Sequence, residues 1–329
     1  MRNSISVDTL PRANSRVMTS EFGRDLLMGL AQTPRSIPPK YFYDAVGSAL
    51  FDRICDLPEY YLTRTEQTIL STHASEIAEW IGPHAEIVEF GAGSLKKIQT
   101  LLDAFDTDRS PARYLPIDIS GEHIAQAAAQ LRARYPTLLV QPIIGDYTAP
   151  LTLPPTDTRI GQRVGFFPGS TLGNFHPDEA LAFLRSAAGM LRGGSLLIGI
   201  DLIKHPARLH AAYNDSQGVT AAFNLNVLRR ANNELGADFD TDQFNHHAIY
   251  HPVLQRIEMH LISRREQTVS IGDQRVLFSE GDTIHTESSY KYTIDGFRSL
   301  AVKAGFRAGP VWTDRERQFS VHWLHAPRG

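Results

Sequence analysis

The sequence predicts an α/β fold built on a mostly parallel β-sheet that helices cover on both faces. From residue 86 onward, short apolar runs typical of strands alternate with amphipathic segments typical of helices. This alternation stops after Asp201 and returns only near the C-terminus, as a helix followed by two strands. Alternating strands and helices indicate a parallel sheet, because each crossover helix returns the chain to start the next strand in the same direction.

Before the alternating region, the chain is predicted to be irregular and then helical. The first 40 residues are polar and end near two adjacent prolines, which oppose a continuous helix. The next segment, "GSALFDRICDLPEYY", has apolar residues at helical spacing and is stopped by proline. In "TRTEQTILSTHASEIAEWIG" we expect Thr63 to be the N-cap, Glu66 to complete a capping box, and Gly82 to end the helix.

Five strands and their connecting helices account for the alternating region. The predicted strands are "EIVEF", "RYLPIDIS", "LLVQPIIGDYT", "RVGFFPGSTLGNF" and "GGSLLIGIDL". The predicted helices are "SLKKIQTLLDAF", "GEHIAQAAAQLRARYP" and "PDEALAFLRSAAGML", and the last of these has Pro177 in its first turn.

An insertion of about residues 206–285 is predicted after the fifth strand. It begins with helices in "HPARLHAAYNDSQGVTAAFNLNVLRRANNELG" and continues as antiparallel strands joined by turns at Gly272-Asp273 and Gly281-Asp282. The tail then supplies the helix "TIDGFRSLAVKAGF" and the strands "GPVWTD" and "FSVHWLHA".

Composition excludes several classes of function. A net charge of −3 gives no electrostatic reason for a nucleic-acid or membrane partner. No apolar run approaches the ~18 residues that span a bilayer, and the N-terminus lacks the apolar segment of a secretory signal, so we expect a cytoplasmic protein. A single cysteine excludes an internal disulfide, and the histidines lack an H-E-x-x-H arrangement, so no metal site is expected. Nothing in the sequence demands a dimer, and we expect a monomer.

The segment "IVEFGAGSLKK" departs from the glycine pattern of dinucleotide-binding loops. Gly91 and Gly93 are present, but Lys96 stands at the position of the third glycine. A Gly-x-Gly pair alone is weak evidence for any ligand.

Acidic residues near the ends of successive strands make this loop informative. Ligands of such sheets lie at the carboxyl ends of the strands. Asp118 is placed to accept both hydroxyls of a ribose, and Asp146 with Tyr147 to lie near an adenine edge. Glu89 would repel a pyrophosphate but attract a sulfonium, which favours S-adenosylmethionine. The alternative is that these carboxylates only cap helices or turns.

Longer motifs give the chain a more specific resemblance. "KYFYDAVGSALFDRICDLPEYYLTRTE", "VEFGAGSLKK", "YLPIDIS", "GDYT", "FFPGSTLGNF" and "HTESSYKY" resemble the L-histidine Nα-methyltransferase family of ergothioneine biosynthesis, along nearly the whole chain. The resemblance implies a Rossmann-like class I methyltransferase core with a mostly parallel seven-stranded sheet, formed by residues 61–205 plus 286–329. It also implies a second α+β domain, for substrate binding or as a lid, formed by residues 1–60 plus 206–285.

The same resemblance assigns site residues. It implies cofactor positions in and after the glycine loop: Gly91, Lys97, Asp118, Asp146 and Tyr147; the loop pattern itself adds Glu89 and Gly93 to the predicted cofactor site. It implies histidine-binding positions elsewhere: Tyr60, Asn174, Tyr213, Met259, Glu287, Ser288 and Ser289. Asn174 and Tyr43 are the implied catalytic residues.

The residue types suit methyl transfer to an amine. Asn174 can accept hydrogen bonds from an amino group without stabilising the ammonium form as strongly as a carboxylate would. Tyr213 can donate to the substrate carboxylate without adding charge. Glu287 and Ser289 share a face if their segment is extended, and a carboxylate with a hydroxyl suits an imidazole. Without the family resemblance, Tyr60 could be a packing residue and Asn174 a turn residue. Glu287 could be a solvent-exposed charge on a strand.

The expected function is therefore S-adenosylmethionine-dependent trimethylation of the α-amino group of L-histidine to hercynine. The nearest alternative is the same reaction on another amino acid such as tryptophan, against which Glu287 argues because an indole has one N–H and no acceptor. From other classes, an NAD-dependent oxidoreductase and a non-catalytic sensor of an adenosyl ligand remain open.

Overall fold

The computed structural model describes residues 17, 19–93, 95–156 and 160–328, without the side chains of residues 122 and 123. These residues form two compact units. The core unit contains the described residues of Cys55–Ala212, Tyr250–Ile257 and Ser288–Gly329, and the insertion unit contains those of Met1–Ile54, Tyr213–Ile249 and Glu258–Glu287. The predicted boundaries differ from this division by a few residues. In addition, Tyr250–Ile257 belongs to the core unit, whereas it was predicted to belong to the insertion. The assignment of cofactor and substrate roles to separate domains stays a prediction.

Helices and strands are labelled in chain order over the described residues. The helices are α1 (Glu21–Leu30), α2 (Ala45–Asp56), α3 (Tyr61–Thr72), α4 (Ala74–Ile81), α5 (Leu95–Leu102), α6 (Gly121–Arg134), α7 (Pro177–Met190), α8 (Pro206–Tyr213), α9 (Val219–Leu235) and α10 (Ile294–Lys303). The strands are β1 (Arg35–Ser36), β2 (Glu86–Phe90), β3 (Arg113–Asp118), β4 (Leu139–Val140), β5 (Ile143–Ile144), β6 (Arg163–Phe167), β7 (Ser195–Asp201), β8 (Phe244–His251), β9 (Arg256–Ser263), β10 (Gln267–Ile271), β11 (Gln274–Phe278), β12 (Thr283–Tyr290), β13 (Arg307–Thr313) and β14 (Phe319–His325).

The core unit is built on one sheet in the order β13-β14-β7-β6-β2-β3-β4, with β5 also beside β3. Only β14 runs antiparallel to its neighbours, and the other pairs are parallel. The predicted α/β class with a mostly parallel sheet is confirmed. The third predicted strand is divided into β4 and β5 around Pro142, which has no N–H to donate, so the sheet has eight strands in seven positions.

The position of the carboxyl end of β2 follows from this order. All five residues of β2 are buried. The strand that follows β2, β3, lies on one side of it, and β6 lies on the other side. The chain therefore diverges at β2, and such a divergence opens a crevice at the carboxyl ends of the strands, where α/β sheets bind ligands.

The insertion unit has a four-stranded sheet in the order β1-β12-β9-β8, and a separate hairpin of β10 and β11. The predicted turn at Gly272-Asp273 is confirmed, because Ile271 pairs with Gln274 across it. The predicted antiparallel pairing across Gly281-Asp282 is wrong. Both edges of β12 are already occupied, by β1 and β9, so β11 has no edge to join.

Two local predictions near the N-terminus are also wrong. Part of the first 40 residues, predicted to be irregular, forms α1, which Ser20 caps by accepting a hydrogen bond from the Gly23 N–H at 2.9 Å. The apolar residues Phe22, Leu26 and Leu30 repeat every four residues and are buried on one face of α1. The remainder of the polar N-terminus lies outside the described residues.

The segment predicted as one helix ending at Gly82 is two helices, α3 and α4, separated at His73. Helix α3 begins at Tyr61, so Thr63 lies inside it and does not cap it. Over the described residues, no helix is both long and apolar enough to cross a bilayer.

Candidate functional site

The glycine loop after β2 is fixed to β3 by its own backbone. The N–H groups of Gly91 and Ala92 both donate to the carbonyl of Ile117, at 2.9 and 3.1 Å. Gly91 has a φ of +74°, and a Cβ there would lie 3.3 Å from the ring of Tyr147. A Cβ on Gly93 would meet no atom within 4 Å. The structure therefore brings Gly91 and Tyr147 into contact, and Gly93 borders open space.

Glu89 is a buried carboxyl directly below this loop. Its Oε2 accepts a hydrogen bond from the Tyr114 hydroxyl at 2.5 Å. Burial raises the pKa of Glu89 to about 8, with Glu66 and Asp118 adding to the rise, and Tyr114 and Lys97 opposing it. At neutral pH the carboxyl is mostly protonated, and a cation placed beside it would favour its ionised form.

Lys97, a predicted cofactor residue on α5, forms an ion pair with Glu66. The sequence pattern predicted a different role for Glu66, in a capping box. Lys97 Nζ lies 2.5 Å from Oε2 of Glu66, which is buried. The same carboxylate accepts the N–H of Gly169 at 2.9 and 3.1 Å, and a Cβ on Gly199 would clash with it. The predicted capping box of Glu66 is wrong, because the helix begins at Tyr61 and Thr63 lies inside it, while the Glu66 carboxylate binds Lys97 and Gly169. It joins α3, α5 and the loop after β6.

Asp118 and Asp146 follow β3 and β5, as predicted, and both are half-buried. Oδ1 of Asp118 accepts the Ser120 N–H at 2.8 Å, and Oδ1 of Asp146 accepts the Thr148 N–H at 2.8 Å. Both carboxylates therefore cap turns, as the alternative interpretation predicted. A carboxylate has about four acceptor positions, so these bonds do not saturate either group.

Two apolar features border these carboxylates. Ile119, next to Asp118, has 49% of its surface exposed, and sequence reasoning did not select it. Tyr147 packs edge-on against Phe90, Phe167 and Phe183, with ring centroids 5.7 to 6.4 Å apart. Burial raises the pKa of the Tyr147 hydroxyl, so it remains a hydrogen-bond donor over the whole physiological range.

The loop after β6 carries Asn174 on a short 3₁₀ turn, Thr171–Asn174. Ser170 adopts a left-handed conformation and accepts the Asp201 N–H at 2.8 Å, which fixes the loop to the end of β7. A Cβ on Gly173 would lie 2.7 Å from the Tyr290 carbonyl, so only glycine permits this approach to β12. Asn174 is half-buried, and its side-chain amide makes no hydrogen bond to any residue in the described ranges.

The end of β12 contributes Ser288 and Ser289 to the core unit, and both are buried. Oγ of Ser289 accepts a hydrogen bond from Lys291 Nζ at 2.8 Å. Tyr60, just before α3, is also buried, and its carbonyl accepts a hydrogen bond from Arg64. Sequence reasoning selected the serines and Tyr60 but missed Lys291.

The remaining predicted substrate residues belong to the insertion unit. They are Tyr43, Tyr213, Met259 and Glu287. The Tyr43 ring packs against Phe51 and Phe223, with centroids 5.7 and 5.8 Å away. Glu287 is buried in β12, and the predicted extended conformation of its segment is confirmed.

A buried network of uncharged groups, which we call the Asn224 network, joins the backbone beside three of these residues. The Asn224 amide donates to His246 Nδ1 at 2.9 Å and accepts from the Thr286 hydroxyl at 2.7 Å. His246 Nε2 lies 2.8 Å from the carbonyl of Tyr213, and the Thr286 hydroxyl lies 3.1 Å from that of Met259. A carbonyl only accepts, so Nε2 carries the hydrogen and His246 is neutral. Burial lowers the pKa of His246, in agreement with this form.

Comparison with known proteins decides the family. Residues 22–326 match the family described as "Histidine-specific methyltransferase, SAM-dependent". The chain belongs to this family. The predicted resemblance is confirmed, and so is the assignment of the chain to enzymes that use S-adenosylmethionine.

Individual members of the family extend this similarity. The chain is 42% identical to a histidine N-alpha-methyltransferase from Mycolicibacterium smegmatis, over 91% of this chain and 92% of that protein. It is 41% identical to one from Mycobacterium tuberculosis, with the same two shares covered. An ergothioneine biosynthesis protein 1 from Neurospora crassa is 31% identical over 90% of this chain, which spans 34% of that longer protein.

Within the described ranges, no group of three or more histidine, cysteine, aspartate or glutamate side chains is arranged to hold a metal ion. The prediction that the reaction needs no metal is not tested by this observation and stays a prediction. The predicted cofactor residues Glu89, Gly91, Lys97, Asp118 and Tyr147 lie near the carboxyl end of β2, and their role in binding the cofactor stays a prediction.

Proposed function

We propose that the protein transfers three methyl groups from S-adenosylmethionine to the α-amino nitrogen of L-histidine. The product is hercynine, and the reaction is the first step of ergothioneine biosynthesis. The observation that carries the proposal is the family match over residues 22–326, supported by 42% identity to a histidine N-alpha-methyltransferase.

The loop after β2 and its neighbours hold the methyl donor in this proposal. Gly91 turns the chain, and Gly93 leaves room for the ligand to approach the backbone. Asp118 accepts the ribose hydroxyls, while Asp146 and Tyr147 contact the adenine. Lys97 pairs with Glu66, which ties α5 to α3 and to the loop after β6. When bound, S-adenosylmethionine supplies an activated methyl group, because its sulfonium is already a good leaving group.

Asn174 positions the amine that is methylated. Methyl transfer is an in-line displacement that needs an uncharged amine about 3–3.5 Å from the methyl carbon. The half-buried amide of Asn174 accepts a hydrogen bond from the amino group without holding it as an ammonium. Tyr43 is the second residue that we assign to the reacting end, and Tyr60 and Ser288 line the substrate.

Substrate selectivity comes from groups that suit histidine. Glu287 accepts a hydrogen bond from the imidazole N–H, Ser289 bonds its other nitrogen, and Tyr213 donates to the substrate carboxylate. Met259 packs against the ring. A site built for these hydrogen bonds rejects apolar amino acids by several kcal/mol, because its buried polar groups would be left unpaired.

Mass spectrometry of L-histidine incubated with the protein and S-adenosylmethionine tests the proposal directly. We expect products with one, two and three added methyl groups, the last accumulating at the end. The Asn174→Ala variant should lose most of the activity, while Asn233→Ala, an exposed asparagine on α9, should retain it. Binding of S-adenosylmethionine without any methylated histidine would contradict the proposal and favour a non-catalytic sensor.

The alternative substrates and cofactors have their own tests. Replacing Glu287 and Met259 with small apolar residues should shift preference toward tryptophan, and unchanged histidine selectivity would contradict the assigned pocket. Calorimetry should detect binding of S-adenosylhomocysteine and no binding of NADH. The reverse result would favour an oxidoreductase. The family match does not favour that class of enzyme.

The proposal includes the conditions under which the enzyme works. It acts as a cytoplasmic monomer, requires no metal, and has no nucleic-acid or membrane partner. Activity should therefore be unchanged after dialysis against a chelator, and light scattering of the purified protein should give a mass near 36.7 kDa.

A further inference from the structure

A single residue at the end of β12, Tyr290, contacts the loop after β6 on both sides of Asn174. Before Asn174, Gly173 lies against the Tyr290 backbone, where a Cβ on the glycine would be 2.7 Å from the carbonyl oxygen and 3.3 Å from the nitrogen. After Asn174, Nδ1 of His176 lies 3.3 Å from the Tyr290 hydroxyl, and the two rings meet edge-on with centroids 6.1 Å apart. The backbone and the side chain of one residue therefore bracket the asparagine that is proposed to bind the amine.

The segment between these two contacts is short and has its own backbone hydrogen bonds. The Phe175 N–H donates to the Leu172 carbonyl at 3.2 Å, which closes a turn around Asn174. His176 is the N-cap of α7, and its N–H donates to Oε2 of Glu179 at 2.8 Å. A shift at either contact is therefore passed to Asn174 through one or two peptide units.

The Tyr290 hydroxyl is oriented by a guanidinium. Arg256 donates a hydrogen bond to the phenol oxygen, and its Cζ lies over the same ring, 5.2 Å from the centroid. A guanidinium has donors and no acceptor, so the Tyr290 oxygen accepts this bond and keeps its own hydrogen to donate. Nδ1 of His176 accepts that hydrogen when the imidazole is neutral and carries its proton on Nε2. Tyr290 itself is buried, so its ring has a fixed position from which to hold the loop.

We infer that Tyr290 is a positioning residue that holds Asn174 in place to orient the amine of histidine for methyl transfer. The inference rests on the proposed function, in which the Asn174 amide accepts a hydrogen bond from the amino group. In this role Tyr290 acts through Gly173 and His176 and needs no contact with the substrate.

The three methyl transfers depend on this positioning to different degrees. The lone pair of the reacting amine must face the methyl carbon, so only an N–H of the amine can donate to Asn174. A neutral primary amine has two N–H bonds, its monomethylated form has one, and its dimethylated form has none. Asn174 therefore orients the amine by this hydrogen bond in the first two transfers and not in the third.

Rates of a single methyl transfer to two substrates test the inference. L-histidine and N,N-dimethylhistidine would each be supplied with the protein in excess over S-adenosylmethionine. The Tyr290→Phe variant removes the hydroxyl and keeps the ring and the backbone contact with Gly173. We expect it to slow transfer to histidine about fivefold, the loss of roughly one hydrogen bond, and transfer to dimethylhistidine by less than about twofold. Equal slowing on both substrates, which a general structural defect would give, or an unchanged rate on histidine would overturn the inference.

A double-mutant cycle tests the path through His176. The His176→Phe variant removes Nδ1 and keeps an aromatic ring, and we expect it to slow transfer to histidine about fivefold as well. Because both substitutions remove the same hydrogen bond, the double variant should also be slowed only about fivefold. A loss near 25-fold, roughly the product of two independent effects, would overturn the inference.

Tyr292→Phe is the matched control, since it makes the same substitution two residues further along the chain. The Tyr292 hydroxyl is not bonded to His176, and its ring packs edge-on against Phe297 with centroids 6.1 Å apart. We expect its rates on both substrates to stay within about twofold of the unmodified protein, and the Kd of S-adenosylhomocysteine to be unchanged in every variant. A selective loss on histidine in Tyr292→Phe as large as that in Tyr290→Phe would overturn the inference.

The same measurements separate the two proposals. If the unmodified protein methylates neither histidine nor dimethylhistidine, the proposed function fails. If it methylates both, and Tyr290→Phe slows both equally or slows neither, only the role of Tyr290 fails.

Discussion

One buried network in each unit differs in charge: the core unit has ion pairs at Glu66 and Asp201, whereas the Asn224 network of the insertion unit has no charged side chain. Glu66 and Asp201 each form buried ion pairs with lysines, and Glu89 lies close enough to Lys97 and Asp118 for its pKa to respond to both. The Asn224 network contains an amide, an imidazole and a hydroxyl without net charge. The two regions therefore control neighbouring residues by different means.

The difference matches the chemistry that each region is proposed to bind. An adenosyl ligand with a sulfonium responds to fixed charges, and these interactions are strong over several ångströms in a buried environment. The neutral network works through the directions of its hydrogen bonds, which fix the backbone at Tyr213 and Met259 without adding charge. Three predictions test this contrast, in order of decreasing expected effect.

The largest effect should come from breaking the ion pair of Glu66 with Lys97. Glu66→Ala leaves Lys97, whose side chain is mostly buried, without its ion-pair partner and the Gly169 N–H without its acceptor, so we expect the free energy of unfolding to fall by about 3–5 kcal/mol. Glu79→Ala, an exposed glutamate on α4, should change it by less than about 0.5 kcal/mol. Urea denaturation measures both, and similar values for the two variants would contradict the structural role of Glu66.

The neutral network should be less costly to break. Asn224→Ala leaves His246 Nδ1 without its donor and the Thr286 hydroxyl with only the Met259 carbonyl, so we expect a loss of about 1–3 kcal/mol of stability. Asn233→Ala on the exposed face of the same helix is the control. If Asn224→Ala were as damaging as Glu66→Ala in the same urea assay, the contrast between charged and neutral regions would not hold.

The smallest effect should be the pH dependence of cofactor binding through Glu89. Its carboxyl is protonated below a pKa of about 8, and a bound sulfonium lowers that pKa, so binding releases a proton. Affinity for S-adenosylmethionine should rise with pH up to about 8, by at most about tenfold per pH unit, and then level off. Calorimetry in buffers of different ionisation enthalpy detects the released proton. Glu89→Gln should abolish the dependence, and a dependence that persists would point to another group.

Much of the fold was predictable because hydrophobic patterns are local. Strands β2, β3, β6 and β7, and helix α7 with Pro177 in its first turn, were predicted from runs of neighbouring residues. Helix α1 was missed because a polar flank and adjacent prolines concealed a repeat of Phe22, Leu26 and Leu30. The pairing of β11 with β12 was wrong because edge availability depends on β1, which lies far away in sequence.

The candidate site likewise has features that the sequence predicted and features that it did not. The glycine loop and the acidic residues after successive strands were found from the sequence, since strand order places their ends at one edge of a parallel sheet. Glu66 was misassigned, because a Thr-x-x-Glu spacing looks the same whether the carboxylate caps its helix or pairs with a lysine from another element. The sequence did not predict the hydrogen bonds of His246, Asn224 or Lys291. Their partners either lie far away along the chain or are polar side chains in no distinctive pattern.

The α/β class, the position of the glycine loop and the membership in a histidine-specific family follow from the sequence alone, because they depend on periodicity and on contiguous motifs. Folding settles which carboxylates are paired, which carboxyl holds a proton, and which lysine contacts Ser289. Those properties depend on burial and on hydrogen-bond partners that folding brings together from separate elements, and no spacing along the chain encodes them.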